Sequence, residues 1–207
     1  MAKIKLTRRA LILGSPSLVM SSAALAAFLP TPGTTEGPFY PVRMPRDIDA
    51  DLVRVDKSEE AAVGDILHLT GRVLDANARP VAKARVEIWQ CDATGIYLHP
   101  GDRRFASRDQ GFQGFGHAVT DSTGRIVFRT IVPVSYPGRT PHIHAKIFHG
   151  GRKLLTTQLY RAGHAQNQSD ILFRRLSPGE QQRVSMTIKP RTVAASVAYE
   201  TEIELVI

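Results

Sequence analysis

Residues 66–90 read ILHLTGRVLDANARPVAKARVEIWQ, and this stretch decides the fold. Ile66–Asp75 is rich in aliphatic and β-branched side chains and predicts a strand. The turn formers from Ala76 to Pro80 end it. Ala84–Gln90 (ARVEIWQ) then alternates apolar with polar residues, the period of a half-buried strand. A strand, a turn and a second strand of this kind point to a β layer.

The same punctuation continues downstream. A turn at Asp92–Gly95 follows, and residues 101–116, rich in Gly, Asp, Arg and Phe, read as a long loop. Ala118–Thr120 and Ile126–Ile131 are strand-like and flank the turn DSTG. Ile143–Phe148 and Leu154–Tyr160 form a natural hairpin around Gly150-Gly151. Gln181–Lys189 and Ala198–Ile207 are further strand candidates. Helical structure is confined to short turns, one within Gly163–Phe173 and one starting at Ser177–Gln182 (SPGEQQ). Many short strands separated by turns predict an all-β protein, an antiparallel β-sandwich with long loops, over residues 64–207.

Upstream, residues 27–63 carry Pro30, Pro32, Pro38, Pro41 and Pro45 together with Gly33 and Gly37, which excludes long helices and central strands. This irregular N-terminal arm is expected to run across a surface. Its GPFYP segment sets two aromatic rings between prolines. Residues 1–26 begin with Lys3, Lys5, Arg8 and Arg9, continue through an apolar stretch and end in Ala24-Leu25-Ala26, a small-x-small cleavage signal. Thr7-Arg8-Arg9 looks like a twin-arginine signal. The expectation is export to a periplasmic or extracellular location, with no stable membrane insertion after processing.

The chain of 207 residues has a formal net charge of +8. The first 26 residues hold four of the 27 basic residues and no acid, so 23 basic and 19 acidic residues remain, a net of +4. That excess is too small to suggest nucleic-acid binding and modestly favours anionic small substrates. The single cysteine, Cys91, lies in the apolar run VEIWQC and reads as a buried small hydrophobe.

The chemistry concentrates in Tyr136-Pro137-Gly138-Arg139-Thr140-Pro141-His142-Ile143-His144. Residues two apart on a strand face the same way, so His142 and His144 present two imidazoles together. Such a pair suits a metal, or else decorates a solvated strand face. No H-E-x-x-H and no cysteine cluster is present, so the common zinc patterns are missing. Tyr136 and Tyr97, the latter in GIYLHP, are hard oxygen donors suited to a trivalent ion such as Fe(III), although spacing alone leaves them as rim residues.

Several blocks in order resemble the intradiol ring-cleavage dioxygenases. They are TEGPFYP, GRVLDANARPVAKARVEIWQCDATGIY, FQGFGHAVTDSTGRIVFRTIVP, YPGRTPHIHAKIF and LLTTQLY, spanning about Thr35 to Phe173. The resemblance implies a non-haem Fe(III) site, one ion per chain, held by Tyr97, Tyr136, His142 and His144. It implies that Arg139, Gln158 and Tyr136 serve catalysis, with Tyr136 also accepting a substrate proton. It sets Gly37, Pro38, Tyr40 and Arg139 beside the substrate. The implied reaction opens a catechol-type ring with O2 between its hydroxyl-bearing carbons to give a muconate-type diacid, with a protocatechuate-like substrate favoured. His117 stands where many family members carry arginine. Family members range from homodimers to larger assemblies, so a homo-oligomer is an open expectation. Two alternatives remain at this point: a secreted β-sandwich binding module without catalysis, and a copper or zinc protein using His142 and His144.

Overall fold

The structure, a computed structural model, describes residues 29–193 and 196–207. The export signal expected in residues 1–26 lies outside the described residues. Among the described residues nine strands form two sheets: β1 (Ile66–Leu74), β2 (Arg85–Trp89), β3 (Phe115–Val119), β4 (Arg125–Ile131), β5 (His142–His149), β6 (Arg152–Arg161), β7 (Ser185–Met186), β8 (Lys189–Val193) and β9 (Ser196–Val206). One sheet has the order β4-β1-β9-β8 and the other β3-β2-β5-β6-β7.

The all-β sandwich expected from the sequence is present, with mixed rather than purely antiparallel sheets. β9 runs parallel to β1, and β7 parallel to β6. Hydrophobic alternation specifies which face of a strand is buried, not the direction of its neighbour, so the sequence could not reveal this. β1 and β2 lie in opposite sheets, and the turn between them carries the chain across the sandwich. Asp75 fixes that turn by accepting from the Asn77 and Arg79 N–H groups at 2.8 and 2.9 Å.

The core lies between the sheets. Leu67, Leu69 and Val73 of β1 and Phe128 of β4 meet Val86 and Ile88 of β2 and Ile143, Ala145 and Ile147 of β5. Each fully buried larger aliphatic side chain contributes roughly 1.5–3 kcal/mol. The strand expected over Gln181–Lys189 forms only in part. Helix α2 (Pro178–Arg183) occupies its first part, because Ser177 and Glu180 make a capping box with Pro178 in the first turn. Only β7 remains of it, and β8 follows. The helical turn expected within Gly163–Phe173 is realised as a 3-10 turn at Ala165–Gln168 and helix α1 (Ile171–Arg174), whose N-cap is Asp170.

The arm does more than cross a surface. Its Leu52 and Val53 enter the core at 0% and 1% exposure. It bonds to both sheets: Thr34 N–H donates to the Thr156 carbonyl at 2.8 Å, His117 N–H to Ile48 at 2.9 Å and Leu52 N–H to Arg129 at 2.8 Å. It therefore closes the exposed edges of β3 and β4. It also covers the face of the five-stranded sheet that points away from the core. That outer face is organised in cross-strand rows. Trp89 pairs with Phe115 and with His144, which pairs with Gln158. Glu87 pairs with His117 and with Lys146, while His142 pairs with Tyr160.

Candidate active site

The site is built at one end of this outer face. Pro141 leads into β5, so His142 and His144 project together from its first turn-free residues, at 1% and 2% exposure. Opposite them, residues 136–139 form a turn closed by the Arg139 N–H bonded to the Tyr136 carbonyl at 2.9 Å. Pro137 supplies its fixed φ, and Gly138 takes φ +81°, as the third position of a type II turn demands. The turn places Tyr136 and Arg139 side by side, and the Arg139 Nη1 donates to the Tyr136 Oη at 3.3 Å. Tyr97 arrives from the loop after β2. Asp92 orders that loop by accepting from the Thr94, Ile96 and Asp109 N–H groups, and Asp102 accepts from Tyr97 N–H at 3.0 Å. Gly95 lets the two tyrosine segments approach, since a Cβ there would lie 3.3 Å from the Ser135 carbonyl oxygen.

The four expected ligands converge. Tyr97 Oη lies 3.1 Å from His144 Nε2, and His142 Nε2 lies 3.2 Å from His144 Nε2. The Tyr97 and Tyr136 rings meet edge to face, with centroids 5.4 Å apart. His142 Nδ1 is 2.7 Å from the Thr140 carbonyl oxygen, a contact only an N–H can satisfy, so its Nε2 is a bare lone pair. His144 is held differently. Its Nδ1 has no hydrogen-bond partner among the described residues; its ring stacks on Trp89 at 4.7 Å and 10°, and a Cβ on Gly37 would lie 3.5 Å from its Cε1.

The electrostatics suit a cation. Burial, helped by the Arg139 charge, lowers the His142 pKa to about 4, and burial with His142 and Arg139 pushes His144 well below its usual value. Both imidazoles are neutral at neutral pH, the state in which an imidazole can donate to a metal. Burial raises Tyr97 well above the ordinary phenol value, with the neighbouring Tyr136 adding to it. Burial raises Tyr136 too, against the pull of Arg139. Two phenols held protonated beside two neutral imidazoles lack a positive charge at their centre. A hard trivalent ion fits that donor set. Among the described residues no group of three or more His, Cys, Asp or Glu could hold a metal, and the side-chain donors beside the histidine pair are the two phenols.

Arg139 and Gln158 adjoin the cluster. Asp170 accepts from the Arg139 Nε at 2.9 Å, and the Gln158 Oε1 accepts from its Nη2. The same Oε1 accepts from Tyr160 Oη at 3.0 Å, while Gln158 Nε2 donates to the Thr35 carbonyl at 3.2 Å. Gln158 is therefore fully buried and committed to holding Arg139 and the arm. Of the arm residues, Gly37 reaches the site, Pro38 is exposed, and Tyr40 turns away. The Tyr40 hydroxyl donates to Glu87 Oε2 at 2.9 Å. Phe39 takes the place expected for Tyr40, stacking on Tyr97 at 4.5 Å and 19°. Asp170, Trp89 and Phe39 were not singled out by sequence reasoning. The alternation of GPFYP around a bend was the one available signal for Phe39.

Cys91 is buried, its thiol pushed up to about 12 by burial and by Asp92, and it takes no part.

A family model described as "Dioxygenase" matches residues 35–205. Among known proteins, the protocatechuate 3,4-dioxygenase beta chain of Burkholderia cepacia is 38% identical over 136 residues, 61% of this chain and 57% of that one. The catechol 1,2-dioxygenase of Acinetobacter baylyi is 30% identical over 169 residues, 73% of this chain and 52% of that one. The chain belongs to the intradiol ring-cleavage dioxygenase family. It spans just over half the length of these curated relatives. Among solved structures, the dioxygenase domain of a carbohydrate-binding fusion protein from Streptomyces sp. SirexAA-E superposes with a TM-score of 0.64 at 32% identity, covering 86% of this chain and 97% of that one. Catechol 1,2-dioxygenase from Acinetobacter sp. ADP1 gives a TM-score of 0.67 at 26% identity, covering 89% of this chain and 64% of that one.

Proposed function

We propose that this intradiol-family chain is a non-haem Fe(III) dioxygenase that opens a catechol-type ring with O2 to a muconate-type diacid. The supporting observation is the convergence of a buried and a half-buried phenol and two neutral imidazoles at one point, with a guanidinium beside them. Tyr97, Tyr136, His142 and His144 would hold one ferric ion. When bound, that ion supplies Lewis acidity, favouring ionisation of the catechol hydroxyls and drawing electron density from the ring so that O2 can attack it. A binding module without catalysis has no use for such a buried donor set.

The remaining steps belong to the protein's own groups. Tyr136, the less buried of the two, would hold the ion as a phenolate, and in that form its Oη is placed to accept a substrate proton. Arg139 remains charged at any working pH and stabilises negative charge developing on the ring. Asp170 and Gln158 hold its guanidinium from behind, so little ordering is left for the reaction itself. Phe39 and Trp89 pack against Tyr97 and His144 and exclude water from that side. A carboxylated, protocatechuate-like ring suits the adjacent cation and the positive net charge.

The test is purification with metal analysis, visible spectroscopy and an oxygen-uptake screen over a panel of catechols with product identification. The expected result is one iron per chain, a burgundy-red tyrosinate-to-Fe(III) absorption, and muconate-type products. A colourless, iron-free, inactive protein would sink the proposal, and copper or zinc in its place would favour the metalloprotein alternative. We also propose that residues 1–26 direct export. Replacing Arg8 and Arg9 with lysine should trap the protein in the cytoplasm, and unchanged export would exclude the twin-arginine route. Self-association is an open part of the proposal, to be read from the solution mass.

A further inference from the structure

One row of polar residues on the outer face is not used by the proposed chemistry. His117 on β3, Glu87 on β2 and Lys146 on β5 are cross-strand neighbours. Glu87 is 0% exposed and Lys146 5%. Charges buried this deeply persist only where partners offset their desolvation. Each of the three finds a partner on the arm. His117 Nδ1 lies 2.8 Å from the Ile48 carbonyl oxygen. Glu87 accepts from the Tyr40 hydroxyl, and Arg85 pairs with its other oxygen. Lys146 pairs with Glu36, and its Nζ sits 3.3 Å from the centre of the Tyr40 ring.

The order of these anchors matters. Glu36 is tied at β5, Tyr40 at β2 and Ile48 at β3, so the arm is laid across three consecutive strands. Gly37 and Phe39 lie between the first two anchors. These are the residues that meet His144 and Tyr97. Any loosening of Glu36 or Tyr40 moves that wall.

We propose that the His117–Glu87–Lys146 row is a clasp that holds the arm as one wall of the substrate site, with Glu87 and Lys146 as positioning residues. The part of this that concerns substrate rests on the dioxygenase reading above. The alternative is a purely structural set of ion pairs, which would affect stability without a selective effect on substrate binding.

The experiment compares Glu36→Gln, Tyr40→Phe and Lys146→Met, with the Glu36→Gln/Lys146→Met double variant, in the full chain. The first readout is tryptic cleavage at Arg43 and Arg46, which are exposed and lie between the anchors. It needs neither iron nor turnover. Each single variant should be cut about tenfold faster, as expected for losing one charge-assisted hydrogen bond, and the double variant no faster than Lys146→Met. The second readout is kinetic: in iron-loaded protein KM for the catechol should rise about tenfold, with kcat and the visible band nearly unchanged. Wild-type cleavage rates and KM in folded Glu36→Gln and Tyr40→Phe would overturn the clasp, as would a fall in kcat with KM unchanged. If Lys146→Met fails to fold, the two arm variants still decide. If the wild-type protein binds no iron and opens no catechol, the dioxygenase reading fails, while the cleavage comparison still upholds or removes the clasp.

Discussion

Ile143, Ala145 and Ile147 on one face of β5, and His142, His144 and Lys146 on the other, are all no more than 5% exposed. They are covered in different ways. The first face meets a second sheet, and apolar volume is all that contact requires. The second meets an irregular arm and two loops, which bring a specific partner to nearly every polar group they bury. Lys146 receives Glu36, Glu87 receives Tyr40, and Gln158 receives Thr35 and Arg139. The exception is the end where His142, His144, Tyr97 and Tyr136 face mainly one another. Trp89 Nε1 beside His144 and Thr156 Oγ1 beside Lys146 also lack a hydrogen-bond partner among the described residues, so it is the convergence of four donor side chains on one point that indicates where an external ligand belongs.

The sharpest way to break this comparison is to alter that point. His142→Ala or Tyr97→Phe should abolish iron binding, the visible band and ring opening, while the sandwich stays folded and soluble. Iron content and turnover equal to wild type in both variants would refute the ligand assignment. Arg139→Met should keep iron and colour but lower kcat by about 10²–10³, the usual effect of removing one preorganised charge partner. Steady-state kinetics reads this directly, and a kcat within a few-fold of wild type would remove Arg139 from catalysis. On the core face, Ile143→Ala lies between His142 and His144 and should cost about 2–5 kcal/mol of stability. Turnover per folded molecule should be unchanged, because its side chain points to the other sheet. Denaturant melts with parallel assays separate the two effects; a loss of turnover in fully folded protein would mean that the faces are not independent.

Much of this arrangement was legible in the sequence, and the physical reasons divide cleanly. The period-two pattern in Ala84–Gln90 and the H-x-H pair in β5 are local, so they read correctly. Local capping signals at Ser177–Glu180 were also visible, and the helix they start takes the first residues of the strand read over Gln181–Lys189. The tyrosines were different. Tyr97 and Tyr136 reach His142 and His144 through two separate loops, and only the ordered family blocks brought them together. The burial of Glu87 and Lys146 was not legible, because an alternating strand implies a solvated polar face. It takes the arm, distant in sequence and without periodicity, to cover that face. Parallel pairing of β9 with β1 is likewise a long-range outcome that leaves no local mark. Asp170 looked like any acidic residue before a short apolar run, yet it supports both a helix and the guanidinium.

Asp170 gives the mildest and most specific test of how the outer face is supported. Its carboxylate accepts from Phe173 N–H at 3.0 Å, Thr140 N–H at 3.0 Å and the Arg139 Nε at 2.9 Å. Burial alone would raise its pKa, but the bonds from Phe173, Thr140 and Arg139 outweigh burial and hold it below the ordinary carboxylate value. The sign follows from that depression. As pH falls, the unfolded chain takes up the proton first, at about 3.9, so the stability that Asp170 provides is complete above that pH and is lost as pH drops through the lower folded value. Asp170→Asn keeps an oxygen for the cap of α1 but removes the charge facing Arg139. The variant should be less stable by about 1–3 kcal/mol at pH 7. The gap should close as pH falls below about 4. Urea unfolding at pH 7 and pH 3 measures both values. If wild type and variant differ equally at the two pH values, the carboxylate charge contributes nothing, and Arg139 is held by packing and by Gln158 alone.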